Sequence, residues 1–181
     1  MSRIVLGVSA SAAIYKACDL TSCLTQAGDE VRVVLTRRAA ELVSPQLFEA
    51  ISGQSAHVDE FGPGRESAMD HIALARWAEA LVVAPATAHT TANLATGMAG
   101  NLLCSLALAA DPARTQRLIA PAMNPVMFKN PALQRNLAQL VEDGWTLCEP
   151  DFGRLACDDE GQGRLADPER IAARLGELLG R

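Results

Sequence analysis

Short apolar runs alternate along this chain with longer segments that carry apolar residues at helical spacing. We expect five of these runs to form strands: Ile4–Val8, Val31–Leu35, Leu81–Ala84, Arg117–Ala120 and Thr146–Cys148. Near-continuous apolar runs are typical of strands that are buried on both faces of a parallel sheet. The pattern therefore predicts an α/β fold, a three-layer doubly wound parallel sheet, and the length of 181 residues fits a single domain over residues 1–181.

Helix boundaries are indicated by capping residues. Apolar residues repeat at helical spacing over residues 13–27, and Gly28 is expected to end that helix. Proline is typical of the first position of a helix, so we expect helices to begin at Pro131 and Pro168. Ser67-x-x-Asp70 resembles a capping box that opens a further helix. Residues 53–66 and 150–166 are rich in Gly, Pro and charge, and we expect them to be the most mobile loops.

Charge and composition exclude several classes of protein. The net charge is −5, with 16 basic and 21 acidic residues and no Lys/Arg cluster, so nucleic acid is not an expected partner. No run approaches the roughly 20 apolar residues of a membrane span, and we expect no membrane partner and a cytoplasmic location. Five cysteines without paired short spacings predict neither a disulfide framework nor a metal site. Of these, Cys157 alone lies in a polar, Gly-punctuated loop.

Four segments follow the predicted strands, where open parallel sheets bind ligands. Ser9–Ala12 and Thr36–Arg38 suit phosphate contacts, although ordinary helix capping explains the first segment equally well and a solvated helix start explains the second equally well. Neither GxGxxG nor a P-loop is present. Pro85–Thr90 combines small residues, which admit a flat ring, with hydroxyls and a helix start, although capping again explains it. Pro121–Phe128 contains Asn124, whose amide is either tied to the turn or available to a ligand.

Several motifs occur together in order: Met69–Ala78, which includes His71; Ala84-Pro85-Ala86-Thr87-Ala88; Pro121-Ala122-Met123-Asn124-x-x-Met127; Leu155-Ala156-Cys157; and Gly161-x-Gly163-Arg164. On these residues the chain resembles the flavin-dependent cysteine decarboxylases, and in particular the members that act on phosphopantothenoylcysteine. The resemblance implies a flavodoxin-like or Rossmann-like subunit that holds FMN. It also implies a homo-trimer or dodecamer whose active site lies at the subunit interface.

The resemblance assigns roles to individual residues. His71 would be the catalytic base, although a lone helical histidine is by itself more often structural. Asn124 would bind the substrate carboxylate and amide, Arg154 and Ala156 would belong to a lid, and Cys157 on that lid would donate a proton. FMN would be held by the remaining matched positions: Ala10, Ser11, Ala12, Thr36, Arg37, Thr87, Ala88, His89, Thr90 and Ala122. His89 and Asp158 depart from the usual family pattern, in which Asn and Gly are frequent.

The implied reaction has a clear chemical logic. Loss of CO₂ from a cysteine carboxylate leaves a carbanion with no electron sink, unless the flavin first oxidises the CH₂–SH group to a thioaldehyde. The expected activity is thus FMN-dependent decarboxylation of phosphopantothenoylcysteine to 4'-phosphopantetheine in coenzyme A biosynthesis. Two alternatives stay open. One is a peptidyl-cysteine decarboxylase of peptide natural-product maturation, and the other is a non-catalytic flavin-binding regulatory subunit.

Overall fold

Six parallel strands form the central sheet of the computed structural model, which describes residues 1–60, 69–154 and 160–181. In chain order they are β1 (Arg3–Val8), β2 (Glu30–Leu35), β3 (Ala56–His57), β4 (Ala80–Ala86), β5 (Gln116–Pro121) and β6 (Thr146–Leu147). Their spatial order is β3-β2-β1-β4-β5-β6, the 3-2-1-4-5-6 order of the Rossmann topology. The order reverses between β1 and β4, so ligands are expected at the carboxyl ends of these two strands.

Helices connect the strands and cover both faces of the sheet. A 3₁₀ turn at Ala12–Ile14 precedes the first helix. The helices are α1 (Tyr15–Gln26), α2 (Arg37–Leu42), α3 (Pro45–Ser52), α4 (Asp70–Trp77), α5 (Ala88–Thr96), α6 (Leu102–Ala109), α7 (Pro125–Phe128), α8 (Pro131–Glu142) and α9 (Pro168–Leu178). The predicted α/β fold class is confirmed. No helix within the described ranges is long and apolar enough to cross a bilayer.

Alternate residues of the central strands enter two different core layers. Ile4, Leu6 and Val8 of β1 lie in the layer that also contains buried residues of α1 and α9. Val5 of the same strand lies in the opposite layer, together with Leu103 of α6. Because both faces of β1 are covered, its sequence is apolar at every position from Ile4 to Val8 except Gly7.

One helix ends at a glycine and two helices begin at a proline, as the sequence predicts. Gly28 follows α1 with φ +87°, a left-handed conformation that favours glycine. Pro131 and Pro168 occupy the first positions of α8 and α9. The predicted capping box is wrong, since α4 begins at Asp70 with Met69 as its N-cap residue. Ser67 itself lies outside the described residues.

Two regions that we expected to be loops contain strands. β3 lies within residues 53–66 and pairs in parallel with β2, which buries His57. Residues 150–166 contain an antiparallel hairpin of β7 (Asp151–Arg154) and β8 (Glu160–Arg164). The glycines of β8 and the short length of β3 give neither strand the apolar pattern from which strands are predicted.

Candidate active site

Ser9 joins the loops that follow β1 and β4. Its hydroxyl donates a 2.6 Å hydrogen bond to the carbonyl oxygen of Pro85 and accepts a 2.9 Å hydrogen bond from the backbone N–H of Thr87. The backbone N–H of Ser9 also donates to the carbonyl oxygen of Pro85, at 3.2 Å. Ser9 is 1% exposed, so these bonds form in a buried setting. The two loops on either side of the switch point are thus one hydrogen-bonded unit.

Hydroxyl residues cap the short turn and the helices that begin at this edge. Ser11 accepts from the N–H of Ala13 at 3.3 Å, and Thr36 accepts from the N–H of Ala39 at 3.2 Å. Thr87 accepts from the N–H of Thr90 at 3.3 Å. The capping interpretation is confirmed for the segments of Ser11 and Thr87, and Thr36 caps a helix as well. An accepting hydroxyl keeps its own proton, which leaves it able to donate a hydrogen bond to an anion as well.

A cleft of about 720 Å³ opens at the carboxyl ends of β1, β2 and β4. Predicted cofactor residues that line it are Ala10, Thr36, Arg37, Thr87, Ala88, His89 and Thr90. Other lining residues come from three further segments: Val58, Asp59 and Glu60; Ala99, Gly100 and Asn101; and Met127. The cleft therefore brings together segments that are far apart in the sequence, from residue 9 to residue 127.

Some predicted residues do not line this cleft within the described part of the chain. They are Ser11, Ala12, His71, Ala122, Asn124 and Arg154. Two of them nevertheless lie beside it. His71 contacts Glu60, which lines the cleft, and Asn124 begins α7, whose Met127 lines it. His71 and Asn124 thus lie next to the cleft at this edge of the sheet.

His71 packs against a carboxylate. Its Nδ1 lies 2.7 Å from Oε1 of Glu60, and the side chains are 23% and 15% exposed, respectively. Nδ1 is buried, and the contact is close without the alignment of a full hydrogen bond. Any approach of a ligand to this ring must therefore come from the side away from Nδ1.

Asn124 holds the turn that follows β5. Its Oδ1 accepts from the N–H of Val126 at 2.7 Å and from the N–H of Met127 at 3.4 Å. The amide oxygen of Asn124 is therefore tied to the turn, which is the first of the two interpretations given from the sequence. The turn orients the Asn124 side chain at the carboxyl end of β5, next to the hairpin of β7 and β8.

The hairpin packs closely on the Asn124 turn. The N–H of Met123 donates a 3.0 Å hydrogen bond to the carbonyl oxygen of Gly163. A Cβ atom added at Gly163 would lie 2.2 Å from the carbonyl oxygen of Met123, and one at Gly161 would lie 2.9 Å from Pro125. Arg154 ends β7 in an exposed position. Ala156 and Cys157 lie outside the described residues, and their assignments stay predictions.

The mouth of the cleft carries charges of both signs. Nε of Arg37, whose side chain is 79% exposed, contacts Oδ1 of Asp59. The hydrogen bond to Asp59 raises the pKa of Arg37, so this guanidinium stays charged. Arg38 lines the same cleft and is also exposed. Asp59 therefore competes with any anionic ligand for Arg37.

Two of the cysteines, Cys104 and Cys148, are buried in the core. Cys104 and Cys148 are 3% and 5% exposed. Burial raises the pKa of both thiols, because a low-dielectric surrounding disfavours the thiolate. Neither thiol is placed to exchange protons with a ligand in the cleft.

The sequence alone did not identify several lining residues. Ser9 follows β1 directly, and its position at a strand end was a usable signal. Asn101 precedes an apolar helix and caps α6 through a 3.0 Å bond from the N–H of Cys104, which is also a readable pattern. Glu60 gave no such signal, because a charged residue in a segment rich in Gly and Pro is normally solvated.

Comparison with known proteins settles the family. A family model described as Flavoprotein matches residues 1–180. The chain belongs to this family. A probable phosphopantothenoylcysteine decarboxylase of Streptococcus mutans is 38% identical to this flavoprotein over 177 residues, which are 98% of each protein. The resemblance inferred from the motifs is thereby confirmed.

Further relatives agree in fold and differ in length. The coenzyme A biosynthesis bifunctional protein CoaBC of Bacillus subtilis is 44% identical over 169 residues, which are 93% of this flavoprotein and 41% of that protein. The chain therefore spans about two fifths of the bifunctional relatives it matches. A solved PPC decarboxylase mutant complexed with pantothenoylaminoethenethiol superimposes with a TM-score of 0.87 at 33% identity, covering 99% of both chains.

The cleft of this flavoprotein fits a flavin. Its volume lies within the roughly 300–1,000 Å³ of small-molecule sites. Ala10, Ala88 and Gly100 leave room for a flat ring against the backbone. The N-terminus of α5 and the two arginines at the mouth suit a phosphate group. Size, shape and charge thus agree with the family assignment.

Proposed function

We propose that this flavoprotein is an FMN-dependent phosphopantothenoylcysteine decarboxylase that forms 4'-phosphopantetheine in coenzyme A biosynthesis, in the cytoplasm. The observation that carries the proposal is the cleft at the switch point, lined by Ala10, Thr36 and the Thr87–Thr90 turn. Its support is the likeness over 98% of the Streptococcus mutans relative, whose name gives that activity. Solved FMN-dependent cysteine decarboxylases such as SpaF, at 31% identity and a TM-score of 0.81, support FMN as the flavin.

Residues at the strand ends would hold the cofactor. Ser11 and Thr36 keep hydroxyl protons that suit phosphate oxygens, and Arg37 adds a positive charge. The Thr87–Thr90 turn and Ala122 would lie against the ring system. Bound FMN would supply the two-electron oxidation and reduction of the thiol-bearing carbon that the decarboxylation needs.

His71 would act as the base. A thiol has a reference pKa of about 8.5 and is mostly protonated at neutral pH, so its proton must be removed before hydride can leave the neighbouring carbon. Nε2 of His71 is the nitrogen suited to this step, because Nδ1 is buried against Glu60. The proton accepted at Nε2 would then pass to water.

Asn124 and the lid would handle the substrate. Asn124 Oδ1 is used by the turn, so the amide group would meet the substrate carboxylate from its Nδ2 side. Arg154 and Ala156 would close over the substrate, and Cys157 would protonate the carbon from which CO₂ has left. The solved relative that holds pantothenoylaminoethenethiol supports an enethiol as the species awaiting that proton.

We also infer that the active chain is a homo-oligomer, a trimer or a dodecamer, with the site at a subunit interface. The support is the position of His71 and Asn124 beside the described cleft rather than in its lining, with His71 partly exposed. A second copy packed against this edge would enclose the substrate between these groups and the flavin. Light scattering of the purified protein measures the subunit number directly.

The experiment that tests the function combines colour with product analysis. Purified protein should bind FMN, with visible absorbance, and should release CO₂ from phosphopantothenoylcysteine while forming phosphopantetheine. The same protein is assayed with a peptide that ends in cysteine, which tests the peptidyl-cysteine alternative. Turnover of the peptide alone would reassign the substrate. Flavin binding without CO₂ release from either substrate would favour a regulatory subunit.

Cys157→Ser provides the sharper test of mechanism. The variant should bind FMN and accumulate a decarboxylated enethiol, because serine is a much weaker acid than a thiol. Mass spectrometry of the quenched reaction identifies that species. Normal formation of phosphopantetheine by Cys157→Ser would remove Cys157 from the mechanism and leave the decarboxylation itself untouched.

A further inference from the structure

We propose that Glu60 is a positioning residue that orients His71 and stabilises its protonated form. The inference rests on the proposed function, in which His71 is the base. Neither the family motifs nor the sequence pattern singles out Glu60, which follows β3 in a loop rich in Gly, Pro and charge.

Geometry is the first argument. Oε1 of Glu60 lies 2.7 Å from Nδ1 of His71, and both side chains are mostly buried, at 15% and 23% exposure. A buried carboxylate is unfavourable unless a positive group or a hydrogen-bond donor faces it. An imidazole that carries a proton on Nδ1 meets this need. The pair is not fully aligned, which is common in active sites before the substrate is bound.

A second contact fixes the carboxylate. The Oγ of Ser105, on α6, donates a 3.2 Å hydrogen bond to Oε2 of Glu60. Glu60 therefore bridges α6 to His71 on α4, and its two oxygens have different partners. Because one oxygen is held by a helix of the core, the other is held in place against the imidazole ring.

The chemical consequence concerns the two ring nitrogens. A carboxylate at Nδ1 favours the tautomer with its proton on Nδ1, which leaves the Nε2 lone pair free to accept the substrate thiol proton. When that proton arrives, the ring becomes positive and the Glu60 carboxylate stabilises the charge. When it passes on to water, the neutral Nδ1–H tautomer is restored. Glu60 gains and loses no proton in this cycle.

Glu60 also lines the flavin cleft, and among the described residues His71 contacts that lining through Glu60. The carboxylate thus connects the wall of the cofactor cleft to the base. This arrangement gives Glu60 an effect on proton transfer that is separate from cofactor binding. The effect of Glu60 on proton transfer is measured by kcat, and any effect on cofactor binding is measured by FMN absorbance.

The test is a graded series at position 60 in the FMN-loaded full chain. Glu60→Gln keeps the shape and an accepting oxygen but removes the charge, and kcat should fall about 10-fold with KM changed less than about 2-fold. Glu60→Ala removes both, and kcat should fall about 100-fold, within the roughly 10²–10⁴-fold that a positioned base contributes. Glu142→Gln makes the same charge change on an exposed position of α8 and should leave kcat as in wild type.

A double-mutant cycle distinguishes positioning from a structural role. In a His71→Gln background, Glu60→Gln should lower kcat by less than about 2-fold, because the two residues act on one step. FMN absorbance and the thermal midpoint should match those of wild type in each variant that is compared. An equal loss from Glu60→Gln with and without His71 would overturn the proposal, as would wild-type kcat in Glu60→Gln.

The outcomes separate this inference from the proposed function. A wild-type protein that releases no CO₂ from either substrate refutes the function, and the Glu60 series falls with it. A wild-type protein that is active, together with a Glu60→Gln variant of equal kcat, refutes only the role of Glu60. The proposed function and the role of Glu60 are both supported if three results are obtained together. The wild type is active, kcat falls in the graded series at position 60, and Glu60→Gln lowers kcat by less than about 2-fold in the His71→Gln background.

Discussion

The carbonyl oxygen of Gly163 accepts a 3.0 Å hydrogen bond from the backbone N–H of Met123, the residue before Asn124. This bond fastens the β7–β8 hairpin to the turn that presents Asn124. Gly163 has φ +153°, and its α-carbon faces the Met123 carbonyl with no space for a side chain. The position of the hairpin and the position of the Asn124 side chain, which we propose binds the substrate, therefore depend on each other.

We expect Gly163→Ala to uncouple the hairpin from this turn. The added Cβ would lie 2.2 Å from the Met123 carbonyl oxygen, which is backbone and moves only if the turn or the hairpin moves. Overpacking of this kind costs about 1–3 kcal/mol of folding stability. Turnover should fall at least about 10-fold while FMN absorbance is retained. Urea unfolding and steady-state CO₂ release measure the two effects.

The matched control for this change is Gly28→Ala. Gly28 also has a positive φ, of +87°, but nothing lies within 4 Å of an added Cβ there. This variant should lose about 1 kcal/mol through backbone strain alone and keep normal turnover. Equal turnover in the two alanine variants would show that the hairpin contact does not influence the site.

Ser9→Ala should loosen the Thr87–Thr90 turn, which we propose holds FMN. The substitution leaves the partly buried N–H of Thr87 without its acceptor and removes one donor to the buried Pro85 carbonyl. An unsatisfied buried polar group costs about 1–3 kcal/mol. FMN should bind about 10-fold more weakly, which titration followed by flavin fluorescence measures. Ser22→Ala, on α1, changes stability by less than about 0.5 kcal/mol and leaves FMN affinity unchanged.

How far the sequence predicts this molecule depends on the type of interaction. The runs of β1, β2, β4 and β5 predict their strands because burial on both faces leaves an apolar pattern. The segments expected to hold FMN follow those strands, but their individual residues are implied by the family resemblance and stay predictions. The contact of Glu60 with His71 is not predictable in this way, since it depends on where a loop folds back in three dimensions. The hairpin strand β8, Glu160–Arg164, is hidden because its glycines serve close packing rather than strand propensity.

Asp167 makes stability depend on pH. The Lys16 ammonium donates a 2.6 Å hydrogen bond to Oδ1 of Asp167, and this bond lowers the pKa of Asp167 from its ordinary value of 3.8. The contribution is therefore present above pH 3.8 and is lost as the pH falls through the lower folded-state pKa. The difference in unfolding free energy between wild type and Asp167→Asn should be largest near neutral pH and should shrink in acid.

Urea unfolding at a series of pH values measures this difference. Glu177→Gln is the control, because it breaks an exposed ion pair with Arg174 on the same helix, and such pairs contribute about 0–1 kcal/mol. If the difference in unfolding free energy between wild type and Asp167→Asn stays constant from neutral to acid pH, the Lys16–Asp167 bond is not the cause of the pH dependence of stability.

Asp59→Asn should strengthen FMN binding. Asp59 contacts Arg37 at the mouth of the cleft and presents a negative charge where a phosphate is expected. Removing that charge frees Arg37 and relieves repulsion, and exposed charges of this kind are worth about 0.2–1 kcal/mol. The Kd for FMN should therefore fall by up to about 5-fold at low ionic strength, and the gain should diminish as salt screens the charges. Riboflavin, which lacks the phosphate, should bind equally to wild type and variant, and Glu142→Gln should change neither affinity. A parallel gain for riboflavin would mean that Asp59 acts on the ring or on the loop rather than on the phosphate.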